Sequence, residues 1–331
     1  MKALVCTAPF KLAYRDEPDP VATNDVVVVK VEAVGICGSD MHAYHGQDSR
    51  RPAPLILGHE AAGIVASGPR AGERVTINPL IVDPDCPLVL RGAPHLSPTR
   101  QLISMPAWPG AFAQFVRAPV SNLVAIPDHM SSMHAALAEP IAVSYHAVNH
   151  GARVLARPLS ASRCVVLGAG AIGLAAALVL TMQGANEIRI GEPNAQRRAT
   201  AERSGPFACY APGEAREPAE NSADLVIDAV GAVATRAAAS RMIAPGGVIV
   251  HAGLLPGHEG LDIRKLTLQE VIFTGTYCYT PAEFRETVAA LAAGRLGDLS
   301  WLEERPLAEG ARAFADIDAN AVAAAKIVLR P

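Results

Sequence analysis

Cys164-Val-Val-Leu-Gly-Ala-Gly-Ala-Ile-Gly-Leu-Ala-Ala-Ala-Leu-Val-Leu180 changes character in its middle. The apolar, β-branched run over 163–167 has the pattern of a buried strand. Three glycines follow, and 172–183 then carries the pattern of a buried helix. No charge occurs from Cys164 to Asn186, a length that could cross a bilayer. The glycine break argues instead for strand, tight turn and helix. Gly168 suits the turn, Gly170 lets backbone approach a pyrophosphate, and Gly173 lets the helix pack on the strand. Ala171 and Ile172 open the helix, whose N-terminus faces the phosphates. Glu192 lies 19 residues past Gly173 (192 minus 173), at the end of the next strand, 187–190. A carboxylate there can bond both ribose hydroxyls and repel a 2′-phosphate. The expected cofactor is therefore NAD rather than NADP. Arg197 and Arg198 follow on a helix. They read as a solvated face with Glu202, although Arg197 could turn toward a cofactor phosphate.

The alternation continues outward. Strands are expected at 224–230, 247–251 and 271–277, with helices at 195–204 and 232–243. That order implies a parallel sheet covered on both faces, an α/β fold. Val230, His251 and Gly253 end later strands on the carboxyl edge, where such sheets bind ligands. Upstream, 26–34, 61–66 and 72–78 read as strands, and residues 133–150 have helical spacing. Proline is dense over 79–109, which reads as loop. A helix over 281–293 leads to a strand near 326–329, and this tail is expected to rejoin the first half.

A second cluster carries chemistry. Cys37-Gly-Ser-Asp-Met-His42 is followed by Gly58-His-Glu60. A thiolate, an imidazole and a carboxylate are the ligand types of a catalytic zinc. Ser39 and His42 lie beside the thiolate, where a proton relay would need them. Composition narrows the remaining classes. The chain has 331 residues, half of them hydrophobic, and a formal net charge of −3. The length accommodates two domains. Nothing basic argues for nucleic acid or an anionic membrane as partner. The six cysteines are scattered, with no disulfide framework, and the N-terminal apolar stretch is too short for a signal peptide. A reducing, cytoplasmic setting is expected.

Gly35-Ile-Cys-Gly-Ser-Asp, Gly58-His-Glu-Ala-Ala-Gly, Gly72-Glu-Arg-Val, Ala138-Glu-Pro and the glycine turn occur together and in this order. In this the chain resembles the zinc-dependent medium-chain alcohol dehydrogenase superfamily over essentially its whole length, and within it the polyol branch. The resemblance implies a GroES-like β-barrel catalytic domain, 1–140 with 278–331, and a Rossmann doubly wound sheet, 141–277, with the active site between them. It implies Cys37 and His59 as zinc ligands, with Glu60 and Glu139 both open as the next ligand. Asp40 would orient His59 from behind. Zinc would act as a Lewis acid on a secondary alcohol, expected to be a polyol or sugar derivative. Ser39 would pass the hydroxyl proton toward His42. Relatives form homodimers or homotetramers, often by joining Rossmann sheets edge to edge.

One departure stands out. Many relatives hold a second, structural zinc with four cysteines in the proline-rich lobe. The corresponding positions here are Asp83, Cys86, Val89 and Ser97, so that site is expected to be absent. Two other functions remain open: a threonine- or diol-type dehydrogenase, and a non-catalytic NAD-binding redox sensor. Tyr44, His45, Arg50, Trp108, Phe112 and Tyr277 are candidate walls of the substrate pocket.

Overall fold

The computed structural model describes residues 1–331. Arg163–Leu167 is a strand near the middle of a six-stranded parallel sheet. On one side lie Glu187–Gly191 and then Ala208–Tyr210. The chain then crosses to the other side and adds Ala223–Asp228, Ile243–His251 and Ile272–Gly275. The strand order thus reverses beside Gly168, which opens a crevice at the carboxyl ends of the strands. The sheet interior is apolar because both faces are covered: Val166, Leu225, Ile227 and Val250 are buried with Leu174 and Val179 of the helix Ala171–Met182.

A second set of strands is antiparallel for the most part. Val26–Gly35 is its hub, pairing with Glu60–Ser67, Phe115–Pro119 and Lys326–Arg330. Arg74–Ile77 and Leu123–Ala125 extend it. A hairpin, Lys2–Ala8 with Lys11–Asp16, adds Leu55–Ile56 beyond it. These strands enclose a separate core in which Phe112 and Phe314 meet edge to face at 5.8 Å. The tail therefore does return to the first half, through Val328 opposite Gly35 and Leu329 opposite Val34.

The helix Ala138–Val154 joins the two halves. Its Ile141, Ala142, Ala147 and Val148 belong to the same buried cluster as the parallel sheet, together with Phe284 and Val288 of the helix Pro281–Ala292. That second helix starts well because Thr280 and Glu283 cap it reciprocally.

Several local expectations need correction. The glycine-flanked stretch after Cys37 is a helix, Gly38–Tyr44, closed at its start by the Asp40 carboxylate accepting the Cys37 N–H at 3.0 Å. The strand expected over 271–277 is Ile272–Gly275 and stops where its partner strand ends, at His251 opposite Gly275. The strand expected over 224–230 ends at Asp228, whose carboxylate accepts the N–H groups of Val230 and Gly231 and turns the chain. The lobe over 79–109 is mostly irregular, as its prolines suggest, but Leu80–Ile81 pairs with Gln101–Leu102. Its buried His95 lies edge-on to His146, with ring centres 4.9 Å apart. No helix is long and apolar enough to cross a membrane.

Glu283 makes a measurable contribution. Burial alone would raise its pKa. The His146 ring at 2.8 Å and the Thr280 N–H at 2.9 Å outweigh burial and hold it at about 2. A carboxylate depressed in the fold stabilises it above the unfolded pKa, and that stability is lost as pH falls through the folded value. Glu283→Gln is expected to lower the unfolding free energy by about 3 kcal/mol at pH 7. In urea titrations at stepped pH, the gap to the parent should close between about 4.5 and about 2.

Candidate active site

Cys37 sits just before the helix Gly38–Tyr44, and His59 and Glu60 sit at the start of the strand Glu60–Ser67. The register Gly35 opposite Glu60 brings the two segments together. One ligand atom from each of Cys37, His59 and Glu60 lies within 4.8 Å of the other two. His59 and Glu60 are buried and Cys37 is partly so. A side chain at Gly35 would collide with the Glu60 carboxylate, so the glycine is what lets Glu60 lie there.

The groups around this cluster favour a positive charge inside it. Burial opposes charge on His59, but Asp40, 3.5 Å from Nδ1, and the Cys37 sulfur together raise its pKa well above the usual imidazole value. Glu60 Oε1 accepts from Lys326 Nζ at 2.7 Å, and Lys326 also donates to the Ile36 carbonyl at 2.8 Å. Glu60 Oε2 and His59 Nδ1 are buried with no hydrogen-bond partner. A soft sulfur, an imidazole and a carboxylate with an orphaned oxygen, closely spaced and partly desolvated, fit zinc.

Glu139 lies outside this trio. It is buried in the wall of the adjoining cavity, and the Tyr279 hydroxyl donates to its Oε1 at 2.9 Å. Burial, reinforced by Glu60, raises the Glu139 pKa. Tyr279 is held protonated by burial and by Glu139, so it remains a donor.

The cavity beside the trio measures about 520 Å³. Cys37, Ser39, His42, His59 and Glu139 line one part, and Gly168, Gly170, Ala171, Ile172, Gly173, Glu192 and Arg197 line another. Gly168 has φ +98°, and a side chain at Gly173 would strike the Gly168 carbonyl oxygen. The turn thus admits only glycine at these two places. Glu192 is buried at its edge: Oε2 accepts the Ala169 N–H at 2.9 Å and Oε1 accepts the Asn194 N–H at 2.9 Å.

Several placements differ from the sequence reading. Arg197 does not join a solvated face with Glu202. It reaches Glu192 Oε1 at 3.2 Å and lines the cavity. Arg198 binds the carbonyls of Glu192 and Pro193. Val230 and Gly253 line the cavity, whereas His251 does not. Its ring turns toward Asp228 at 3.7 Å and Phe273. Of the candidate walls, Arg50 and Tyr277 line the cavity. Tyr44 and Phe112 are core residues, and His45 pairs with Asp318. Trp108 packs beside that core and donates to Gln101.

Sequence reasoning missed Lys326, Tyr279 and Arg51. The only signal for Lys326 is a lone charge beginning the apolar run Ile327-Val-Leu. Arg51 is buried and donates to the Ser39 hydroxyl at 3.2 Å.

A nucleotide-type crevice and a metal-ligand cluster sharing one cavity define a two-domain dehydrogenase. Comparison with known proteins places it further. Residues 23–128 match the alcohol dehydrogenase GroES-like domain, and residues 171–293 match the zinc-binding dehydrogenase family. The chain is 31% identical over 296 residues to an uncharacterized zinc-type alcohol dehydrogenase-like protein of Escherichia coli, covering 83% of each chain. It is 27% identical to D-xylulose reductase of Saccharomyces cerevisiae, covering 89% of this chain and 87% of the other. A solved zinc-binding dehydrogenase of Sinorhizobium meliloti, bound to NADP, superposes with TM-score 0.89 at 27% identity, covering 100% of this chain and 99% of that one. The chain belongs to the zinc-type alcohol dehydrogenase family, with its GroES-like and Rossmann folds.

Removing Lys326 would leave the Glu60 carboxylate buried without its cation. Lys326→Met is expected to lower the unfolding free energy by about 3–5 kcal/mol, measured by guanidinium denaturation of chelator-treated protein.

Proposed function

We propose that this chain is a zinc-dependent oxidoreductase that uses NAD to oxidise a secondary alcohol of a polyol or sugar derivative. The observation that carries it is a cavity lined in one part by Cys37 and His59, with Glu60 clustered behind them, and in another by the glycine turn. D-xylulose reductase and sorbitol dehydrogenase among the relatives support the polyol class. Cys37 and His59, with Glu60 through its free oxygen, are proposed to hold one zinc. Glu139 would meet it from the cavity side, directly or through water. When bound, zinc supplies Lewis acidity that eases loss of the alcohol proton. Ser39 is proposed to accept that proton and His42, on the same cavity wall, to hand it to solvent. Asp40 holds the His59 ring in place.

For the cofactor, Gly168, Gly170, Ala171, Ile172 and Gly173 would cradle the pyrophosphate, with Val230 and Gly253 beside it. Glu192 supports NAD, since its carboxylate occupies the ribose end and also neutralises Arg197. The two parts of the chain would be 1–140 with 278–331 and 141–277, the helix Ala138–Val154 crossing the first boundary. A homodimer or homotetramer built on the edge strand Ile272–Gly275 is part of the proposal. That strand has a neighbour on one side only, and Ile272 and Phe273 are exposed. Six free cysteines support a cytoplasmic setting.

Metal analysis of purified protein tests the core of this reading. About one zinc per chain and NAD reduction with a polyol panel are expected, and Cys37→Ser should lose both. NAD binding with neither zinc nor turnover would favour a sensor instead. Glu192→Gln should free Arg197 and raise the ratio of kcat/KM for NADP over NAD about tenfold or more. An unchanged ratio would remove Glu192 as the selector.

A further inference from the structure

The end of the cavity far from Glu192 has a charge that the alcohol chemistry above does not use. The strand order shows which end this is. Glu192 follows Glu187–Gly191, whereas Thr276 and Tyr277 follow Ile272–Gly275, four strands away across the sheet. At a strand spacing of about 4.8 Å, that separation is about 19 Å, so Tyr277 stands at the opposite end from the ribose acid.

Two arginines line that end, Arg50 and Arg51. Both come from the segment before His59. Arg50 Nε and Nη2 donate to the two Asp48 oxygens at 2.9 and 3.0 Å, and its guanidinium also approaches the Tyr277 phenol. The Arg100 guanidinium lies over the same Tyr277 ring, 4.7 Å from its centre. Arg51 is buried. Its Nη1 is 3.2 Å from Ser39 Oγ and 3.4 Å from Asp40 Oδ1, and its Nε has no partner. The counter-ions lie behind the arginines, because Asp40 and Asp48 are absent from the cavity lining. What the lumen meets is the cationic side of two ion pairs. Arg50 is 55% exposed and keeps Nη1 without a hydrogen-bond acceptor, whereas Arg51, 2% exposed, turns its Nε toward Asp48 at 3.7 Å and stands behind it. A neutral polyol has hydroxyls that could accept here, but it gains little from two fixed guanidinium groups. An anion gains charge-assisted hydrogen bonds from the open side of the Arg50 guanidinium.

Resting on the proposed alcohol oxidation, we infer that the substrate is an anionic sugar alcohol, whose carboxylate or phosphate is bound by Arg50 beside Tyr277, with Arg51 behind adding positive charge. The hydroxyl to be oxidised then lies toward Cys37 and His59, with the anion anchored by the arginine wall. The anchor sets the distance between charge and reacting carbon, so it selects the position oxidised as well as the class of substrate.

Sorbitol, D-gluconate and sorbitol 6-phosphate serve as matched probes. With NAD saturating, the wild-type enzyme should turn over one of the two anions with kcat/KM about tenfold or more above sorbitol. Whichever anion it is distinguishes carboxylate from phosphate. Arg50→Gln should cut the anion-to-sorbitol ratio about tenfold or more, and Arg50→Lys should restore part of it. NADH fluorescence titration reports that the variant is folded and binds cofactor. A wild-type ratio at or below one, or a ratio unmoved by Arg50→Gln, overturns the inference. If Arg50→Gln instead weakens NADH binding, the arginine serves the cofactor and the inference also falls. Equilibrium titration of gluconate and sorbitol into the enzyme–NADH complex keeps the two readings separable. Selective anion binding without turnover would overturn the alcohol oxidation alone, whereas turnover of sorbitol without anion preference would overturn only the present proposal.

Discussion

An ammonium and a carboxylate, both withdrawn from water, meet 2.7 Å apart beneath the Cys37–His59 pair. Taking Lys326 and Glu60 out of solvent costs several kcal/mol for each ion. Close approach offsets this, and the Ile36 carbonyl takes a further lysine proton. The pair does more than balance charge. Lys326 belongs to the last strand and Glu60 begins a strand of the first half, so the contact ties together the two strands that flank the end of Val26–Gly35. It also divides the carboxylate: Oε1 is held by the lysine and Oε2 remains without a partner. A buried oxygen in that condition is costly unless another positive group faces it. The trio of ligand types supplies the place for one.

The parallel sheet imposes the matching constraint from the other side. Its order reverses beside Gly168, so the helix N-terminus and the carboxyl ends of five of the six strands open into one crevice. The helix Ala138–Val154 then fixes that crevice against the metal-type cluster. Its first turn carries Glu139 into the cavity wall, while its apolar face is buried with the sheet. One rigid element thus places a carboxylate relative to the glycine turn. Loops alone would position it less sharply.

Much of this was legible in the residues, and the exceptions have physical reasons. The strand Arg163–Leu167 announces itself because burial on both faces demands an unbroken apolar run after Arg163, and Glu187–Gly191 shows as alternation, with Ile188 and Ile190 buried. The trio was readable because Cys37, His59 and Glu60 are local to two short glycine-bearing motifs. Lys326 was not, because its meaning depends on a partner 266 residues away. Short-range pattern carries no trace of such a pairing. Arg197 was misread for a related reason. Helical spacing suggested Glu202, but the closer carboxylate in space is Glu192, which precedes the helix. The seven-residue helix after Cys37 is too short to show a period, and its start depends on the Asp40 carboxylate. His251 ends its strand where a ligand contact was expected, but Asp228 and Phe273 draw the ring aside.

The cavity uses one device at its two ends and obtains opposite results. At the ribose end, Glu192 and Arg197 form an ion pair in which both members line the lumen. The carboxylate is the better anchored, through the N–H groups of Ala169 and Asn194, whereas Arg197 is held there by Glu192. At the Tyr277 end, the carboxylates of Asp40 and Asp48 lie behind and the arginines in front. At this end only the cations border the lumen, whereas at the Glu192 end an anion borders it as well. Because a low-dielectric wall strengthens such fields, a short change in depth does the work of a change in net charge. The charge presented at each end therefore depends on how deeply each member of an ion pair is set, a property of packing that composition alone cannot express.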